Sequence, residues 1–422
     1  MGSIVNLDDK CLLKIIGYLD LEEQLDLWQA TESISRLNKV VSSTWQSHKK
    51  YALHRKSFEN RAELLHNFLQ CISPTMVNLT LKDFPVDQLY ALRSHSFPNA
   101  RILDYSGVIS NVNEDLESLV NCFPLIESFK ITVDGEDPAF EIFAGHLVAR
   151  WENLRRLDII GASRHWNTKC FQEICNRLPL QFLAVAWRDS EEDDYVEAIS
   201  KLQELDVLQL ELDLLSREST SMLLTLPKLR RLRFDEFEDV ECLLEHVAEL
   251  RGQDVVALTC NENFWLWLTP NRFQNVRKMS IINEGVVEGI WCEKSFYNNI
   301  IEFPRLMELY LEDITIWQTG DVFWEMISSC PQLQLLHLQN HEIEDRFLEF
   351  SASTMDKALC RRNEPLFIHF ANTSHKDLFF FLKIFKHFSH VKLEISFKVI
   401  KNAYPNLTGG LVELEFTPRN IL

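Results

Sequence analysis

One spacing recurs along most of the chain and leaves it few ways to fold. From about Met76 to Phe416 an apolar residue is followed by two variable positions, a second apolar residue, one variable position and a third apolar residue. Leu154-Arg155-Arg156-Leu157-Asp158-Ile159 is a clear copy, as are Leu205/Leu208/Leu210, Leu229/Leu232/Phe234, Leu306/Leu309/Leu311 and Leu333/Leu336/Leu338. Weaker copies fall at Met76/Leu79/Leu81, Ala100/Leu103/Tyr105, Ile126/Phe129/Ile131, Leu180/Leu183/Val185, Val255/Leu258/Cys260 and Val276/Met279/Ile281. The last three are Pro365/Ile368/Phe370, His390/Leu393/Ile395 and Leu411/Leu414/Phe416. The third anchors span 81 to 416 with a mean period of about 26 residues, which is the length of one strand-plus-helix repeat.

Alternation within each copy points its last two anchors to one face of a short strand. An amphipathic stretch follows, and it often closes on a proline just before the next strand. Examples are Phe123-Pro124, Leu178-Pro179, Leu226-Pro227, Phe303-Pro304 and Cys330-Pro331. Proline ends a helix because it lacks the amide proton and clashes with the preceding turn. One such unit cannot bury its own apolar face, but a stack can. The expected architecture is therefore α/β: a curved parallel sheet with helices on its convex side.

The first fifty residues have a different period. Leu12, Ile16 and Leu19 share one helical face, and Asp8 or Asp9 can accept from the free amides of the first turn. Asp20 and Glu23 have the spacing of a capping box, with Leu21, Leu25 and Trp28 behind them. A third helix is expected through Ile34, Leu37, Val40 and Val41, with Ser33 as its cap. Residues 46–62 are locally basic, with His48, Lys49, Lys50, His54, Arg55, Lys56 and Arg61, and read as part of a solvated helical junction that fills 51–75.

The string Leu7-Asp8-Asp9-x-x-Leu12-Leu13-x-x-Ile16-x-x-Leu19-Asp20-Leu21 resembles the F-box, the adaptor-binding motif of Skp–cullin–F-box ubiquitin ligases. It departs from the family where Asp8, not proline, follows Leu7, and where Lys10 replaces a common glutamate. The later copies resemble leucine-rich repeats of the helix-backed kind, including the Cys-Pro closing. The joint resemblance implies an F-box at 1–50 and, behind the junction, an array of about fourteen leucine-rich repeats over 76–422. It also implies a substrate-recognition subunit of a ubiquitin ligase, cytoplasmic or nuclear. The Skp adaptor would dock through Leu7, Leu12, Leu13, Ile16, Leu19, Leu21 and Leu25, with a cullin scaffold beyond it. The alternative is a leucine-rich-repeat scaffold or inhibitor with no ubiquitin role, its first helices merely capping the array.

Composition narrows the chemistry. The 43 basic and 62 acidic side chains give a net charge of −19, against general nucleic-acid or anionic-membrane binding. The ten cysteines show no Cys-x-x-Cys pairing and no zinc spacing, and reduced thiols are expected. No apolar run has membrane-spanning length; Leu378-Phe379-Phe380-Phe381-Leu382 meets Lys383 at once. No glycine-rich phosphate loop, nucleophile elbow or metalloprotease helix is present, so neither catalysis nor a cofactor is expected.

Binding is expected on the variable strand positions. These include Asp104, Lys130, Arg156, Asp158, Gln209, Arg231, Arg233, Lys278, Tyr310, His337, Phe367 and His369. Asp104, Lys130 and Asp158 on successive strands read as an opposite-charge ladder. Arg156, Arg231, Arg233 and Lys278 read as a cationic group that would receive an acidic or phosphorylated client segment. Tyr310, His337 and His369 complete the candidate client-binding positions.

Overall fold

The structure is a computed structural model. It describes residues 7–84, 86–107, 112–133, 145–161, 168–187, 191–212, 214–235, 240–261, 270–282, 298–312, 319–339, 345–372, 384, 386–397 and 411–418. The chain divides into two units, Met1–Leu205 and Asp206–Leu422.

The first unit opens with three helices, α1 (Asp9–Ile16), α2 (Leu21–Ala30) and α3 (Ser35–Ser47). Asp8 caps α1 by accepting from the Cys11 amide at 2.7 Å. Asp20 and Glu23 close a full capping box on α2. The expected Ser33 cap does not form: the position before α3 is Ile34, with no side-chain cap. Buried Gln24 donates to the carbonyls of Ile16 and Leu19, which joins the end of α1 to α2.

The sheet begins two residues beyond α3. β1 (Lys50–His54), a 3-10 turn at Arg55–Phe58 and α4 (Ala62–Ile72) occupy the stretch read from sequence as a helical junction. That reading missed β1 because Lys50, Ala52 and His54 are exposed and only Leu53 is fully buried, leaving no apolar alternation to see. Trp45 of α3 is fully buried; its ring lies 5.1 Å from that of Phe68 on α4, and its carbonyl accepts from the Tyr51 hydroxyl at 2.6 Å. The helical module is thus packed directly onto the first repeat.

Five further strands follow: β2 (Asn78–Lys82), β3 (Ile102–Gly107), β4 (Ser128–Val133), β5 (Arg156–Asp158) and β6 (Phe182–Ala186). Each pairs in parallel with its predecessor. The connecting helices are α5 (Val86–Leu92), α6 (Val112–Cys122), α7 (Gly145–Val148) and α8 (Thr168–Arg177), with α9 (Glu192–Ser200) after β6. The anchors fill the layer between sheet and helices: Phe129 of β4 meets Trp151 at 4.8 Å between rings, and both are buried. Burial of each such side chain is worth roughly 1.5–3 kcal/mol.

The second unit contains β7 (Val207–Glu211), α10 (Arg217–Leu224), β8 (Arg231–Asp235), α11 (Val240–Arg251), β9 (Val255–Asn261), β10 (Lys278–Ile282) and β11 (Glu308–Glu312). There follow α12 (Gly320–Ser329), β12 (Leu335–Gln339), α13 (Ala352–Cys360), β13 (Leu366–Ala371), β14 (Leu393–Ser396) and β15 (Val412–Phe416). The order across the sheet is β7-β8-β15-β9-β10-β11-β12-β13-β14. All these neighbours are parallel except at β15, which runs antiparallel to both β8 and β9.

The stack has a second regularity, in its backbone. At many strands one carbonyl ahead of the strand accepts from two successive amides of the next repeat: Val77 from Arg101 and Ile102, Arg101 from Glu127 and Ser128, Met307 from Gln334 and Leu335. Side chains close other turns. Asn99 donates to the Pro74 carbonyl at 2.7 Å, Trp151 to that of Phe123 at 2.6 Å, and buried Arg362 to that of Cys330 at 3.1 Å. These bonds satisfy carbonyls that the proline-terminated helices leave open.

The repeat reading therefore holds for the strands β2 to β14, and fails at the last copy. Leu414 and Phe416 are buried as read, but they belong to a strand that returns to the middle of the second unit.

Candidate functional site

The seven side chains expected to meet an adaptor divide by burial. Leu12, Ile16 and Leu25 are 1%, 2% and 0% exposed and fill the inside of the helical module with Leu37, Val41 and Trp45. They are corrected to core positions, since α1 turns Leu12 and Ile16, and α2 turns Leu25, inward rather than outward. Leu7 and Leu13 are exposed, while Leu19 and Leu21 are half-buried. Ile15, Tyr18 and Ile34, which are not among the seven expected adaptor positions, are also exposed, Tyr18 at 80%. Leu13 and Ile15 flank the buried line of α1. Arg36 ties the start of the module together, through Asp9 at 2.7 Å and the Leu7 carbonyl at 2.6 Å.

The candidate client positions lie on strands as read, but their surroundings differ. In the first unit Asp104, Lys130 and Asp158 stand in register on β3, β4 and β5, and Lys130 reaches Asp158 at 3.3 Å. Arg156 is exposed with its guanidinium 3.3 Å above the centre of the Phe182 ring. Desolvation by burial lowers its pKa, against the pull of Asp158.

In the second unit Arg231 and Arg233 are already engaged. Arg231 bonds Glu415 at 2.7 Å and reaches Glu413 at 3.3 Å. Arg233 bonds Asp235 at 2.8 Å, with Glu413 at 4.0 Å, and Gln209 donates to Asp235 at 2.7 Å. The acidic segment expected to arrive from a client is here the chain's own β15. Lys278 is not grouped with these arginines, because β15 and β9 lie between β8 and β10. Its ammonium sits 4.9 Å from the centre of the Tyr310 ring instead.

Tyr310, His337 and His369 are in register on β11, β12 and β13, with ring centres 5.7 and 6.0 Å apart. Tyr310 donates to Glu308 at 2.9 Å. His337 is fully buried and its Nε2 lies 3.4 Å from Gln339. Burial lowers the pKa of both histidines, with His369 adding to the effect on His337 and the Gln339 bond opposing it. Phe367, next to this column, is exposed.

Among the described residues, no group of three or more His, Cys, Asp or Glu side chains gathers around a point that could hold a metal ion. Burial raises the Cys122 thiol to about 11 and those of Cys260 and Cys330 to about 12, so these three pack as neutral apolar groups.

No family model matches the chain, and no curated protein matches its sequence. Among solved structures it is similar to a TLR13–ssRNA13 complex at 14% identity with a TM-score of 0.40. That match covers 84% of this chain and 50% of the other, so the chain spans half the length of that protein. It is likewise similar to a complex of Rad7 and Elc1 in yeast, at 13% identity with a TM-score of 0.40, over 78% of this chain and 88% of the other.

Proposed function

We propose that this chain is the non-catalytic, client-holding subunit of a cullin-type ubiquitin ligase. Its N-terminal helices dock a Skp-type adaptor, and its repeats hold a protein client. The observation that carries the reading is the outer surface of the helical module. Its interior is closed by Leu12, Ile16, Leu25, Leu37, Val41 and Trp45, yet Leu7, Leu13, Ile15, Tyr18 and Ile34 remain in water. A module that has filled its own core gains nothing from further apolar side chains on its outside unless a partner covers some of them.

The mechanism is one of effective concentration. A client held on the repeats stays near the ubiquitin-carrying enzyme, so transfer becomes nearly intramolecular. The direct packing of Trp45 on Phe68 suits this, because no loose linker lies between α3 and β1 to dilute that concentration. The test is coexpression with a Skp adaptor and cullin, followed by size-exclusion chromatography. Co-elution that Leu13→Asp with Ile15→Asp abolishes, while the circular dichroism melt is unchanged, is the expected result. If the unaltered chain runs apart from the adaptor, a repeat scaffold without ubiquitin chemistry takes its place.

A further inference from the structure

The interval between β8 and β9 is the one place among the described repeats of the second unit where a foreign strand enters the parallel stack. β15 supplies there what a neighbouring repeat supplies elsewhere. The Arg230 carbonyl, in the position that feeds the next repeat, accepts from the Phe416 amide at 2.7 Å. The Asp254 carbonyl takes the Thr417 amide at 2.7 Å. Val412, Leu414 and Phe416 continue the buried anchor rows: Val412 lies opposite Phe234 and Cys260, Leu414 opposite Leu232 and Leu258.

Apolar alternation alone would accept almost any hydrophobic strand, in either direction. Three arginines restrict the choice. Glu413 stands opposite Arg233 and Glu415 opposite Arg231, with Arg231 reaching both carboxylates. A two-residue slip toward the far end of β8 would bring Glu413 against Asp235, a like-charge pair. A one-residue slip would turn Val412 and Leu414 onto the charged face. Direction is set at the other end. Phe416 lies beneath the buried guanidinium of Arg251, 4.1 Å from ring centre to carbon, and Arg251 is itself held by Asp254 and the Leu229 carbonyl.

We propose that the gap between β8 and β9 is a recognition site for an acidic extended segment of the pattern apolar–Glu–apolar–Glu–Phe, bound antiparallel. Residues 411–418 of the same chain are its occupant, and Arg231, Arg233 and Arg251 are its specificity-determining residues. Strand addition of this kind takes affinity from the main chain and selectivity from alternate side chains. The site is independent of the adaptor reading.

The test keeps the whole chain. A specific protease sequence is inserted between residues 400 and 408, the folded protein is cut, and a fluorescent peptide of residues 411–418 is added in excess. The expected result is uptake of about one peptide per chain, with the cut segment released. A peptide carrying Glu413→Lys and Glu415→Lys should bind at least 100-fold more weakly. A cut chain bearing Arg231→Glu should prefer the Glu415→Arg peptide over the unaltered one. Arg231 and Glu415 are both partly exposed, so this exchange leaves the core untouched. No uptake by the cut chain, or equal uptake of the charge-reversed peptide, overturns the proposal. Elution of the cut chain at twice its mass overturns the assignment of the occupant to the same chain.

Discussion

Arg231 and Glu415 are 184 residues apart in the chain and face each other across two antiparallel strands, with Nη2 2.7 Å from Oε1. This contact closes the second unit on itself and decides what the Arg231–Arg233 pair can do. A pair of arginines that would otherwise invite an acidic partner is answered from within. Both side chains remain partly exposed, at 47% and 40%, so water screens the attraction. A double-mutant cycle with Arg231→Ala and Glu415→Ala is expected to give a coupling of about 0.5–1 kcal/mol by urea melts, falling with added salt.

Glu413 behaves differently. Burial raises its pKa, against the lowering pull of Arg231 and Arg233. A raised carboxylate contributes stability that is full below the unfolded value and lost as pH rises through the folded one. The ionised form at neutral pH is therefore costly to hold. Glu413→Gln is expected to leave stability at pH 7 within about 1 kcal/mol of the parent, since Arg231 keeps Glu415 and Arg233 keeps Asp235. Glu413→Lys is expected to lose about 3 kcal/mol or more, as a buried like charge beside two arginines. Chemical denaturation of both variants separates these outcomes.

The histidine column makes the second unit sensitive to acid. His337 and His369 are held below their ordinary value, so they stay neutral when folded and bind protons when unfolded. Stability then falls as pH drops below about 6.5, by up to roughly 1.4 kcal/mol per pH unit for each residue, until the folded values are reached. His95 in the first unit is lowered in the same direction, by burial and then by neighbouring His66. Urea melts of His337→Gln/His369→Gln at pH 7.5 and 5.5 should show a shallower pH dependence than the parent. An unchanged slope would remove the column as its source.

In the helical module, burial separates fold from docking. Leu12→Asp or Ile16→Asp places a charge in the core and is expected to unfold the module, with a loss of several kcal/mol. Leu13→Asp and Ile15→Asp change only exposed flanks and should shift stability by less than about 0.5 kcal/mol while weakening adaptor capture. Trp45→Ala should cost about 3–5 kcal/mol, because its ring fills the contact between α3 and α4. Near-ultraviolet circular dichroism paired with adaptor pull-down distinguishes the three classes.

Much of this was written in the sequence. The anchors at 154, 157 and 159, and their counterparts from 76 to 338, are buried where the spacing places them, while Pro365, His390 and Ile395 in the later copies are only partly buried. The Asp8 cap and the Asp20–Glu23 box form as the residues dictate. Local rules suffice for these features, because a helix cap or a strand face depends on neighbours a few residues away.

Other features were out of reach of such rules. β1 carries no apolar alternation, so only its pairing with β2 reveals it. The outward turn of Ile15 and inward turn of Leu12 and Ile16 followed from packing against α3, which a run of apolar letters does not orient. The sequence by itself determined that Leu414 and Phe416 would lie buried and that Glu413 and Glu415 would share the opposite face. Tertiary structure alone decided that this strand runs backwards between β8 and β9. A two-residue alternation reads the same in both directions, and only the charges of Arg231 and Arg233, the pocket under Arg251 and two open rows of backbone bonds distinguish one place from another.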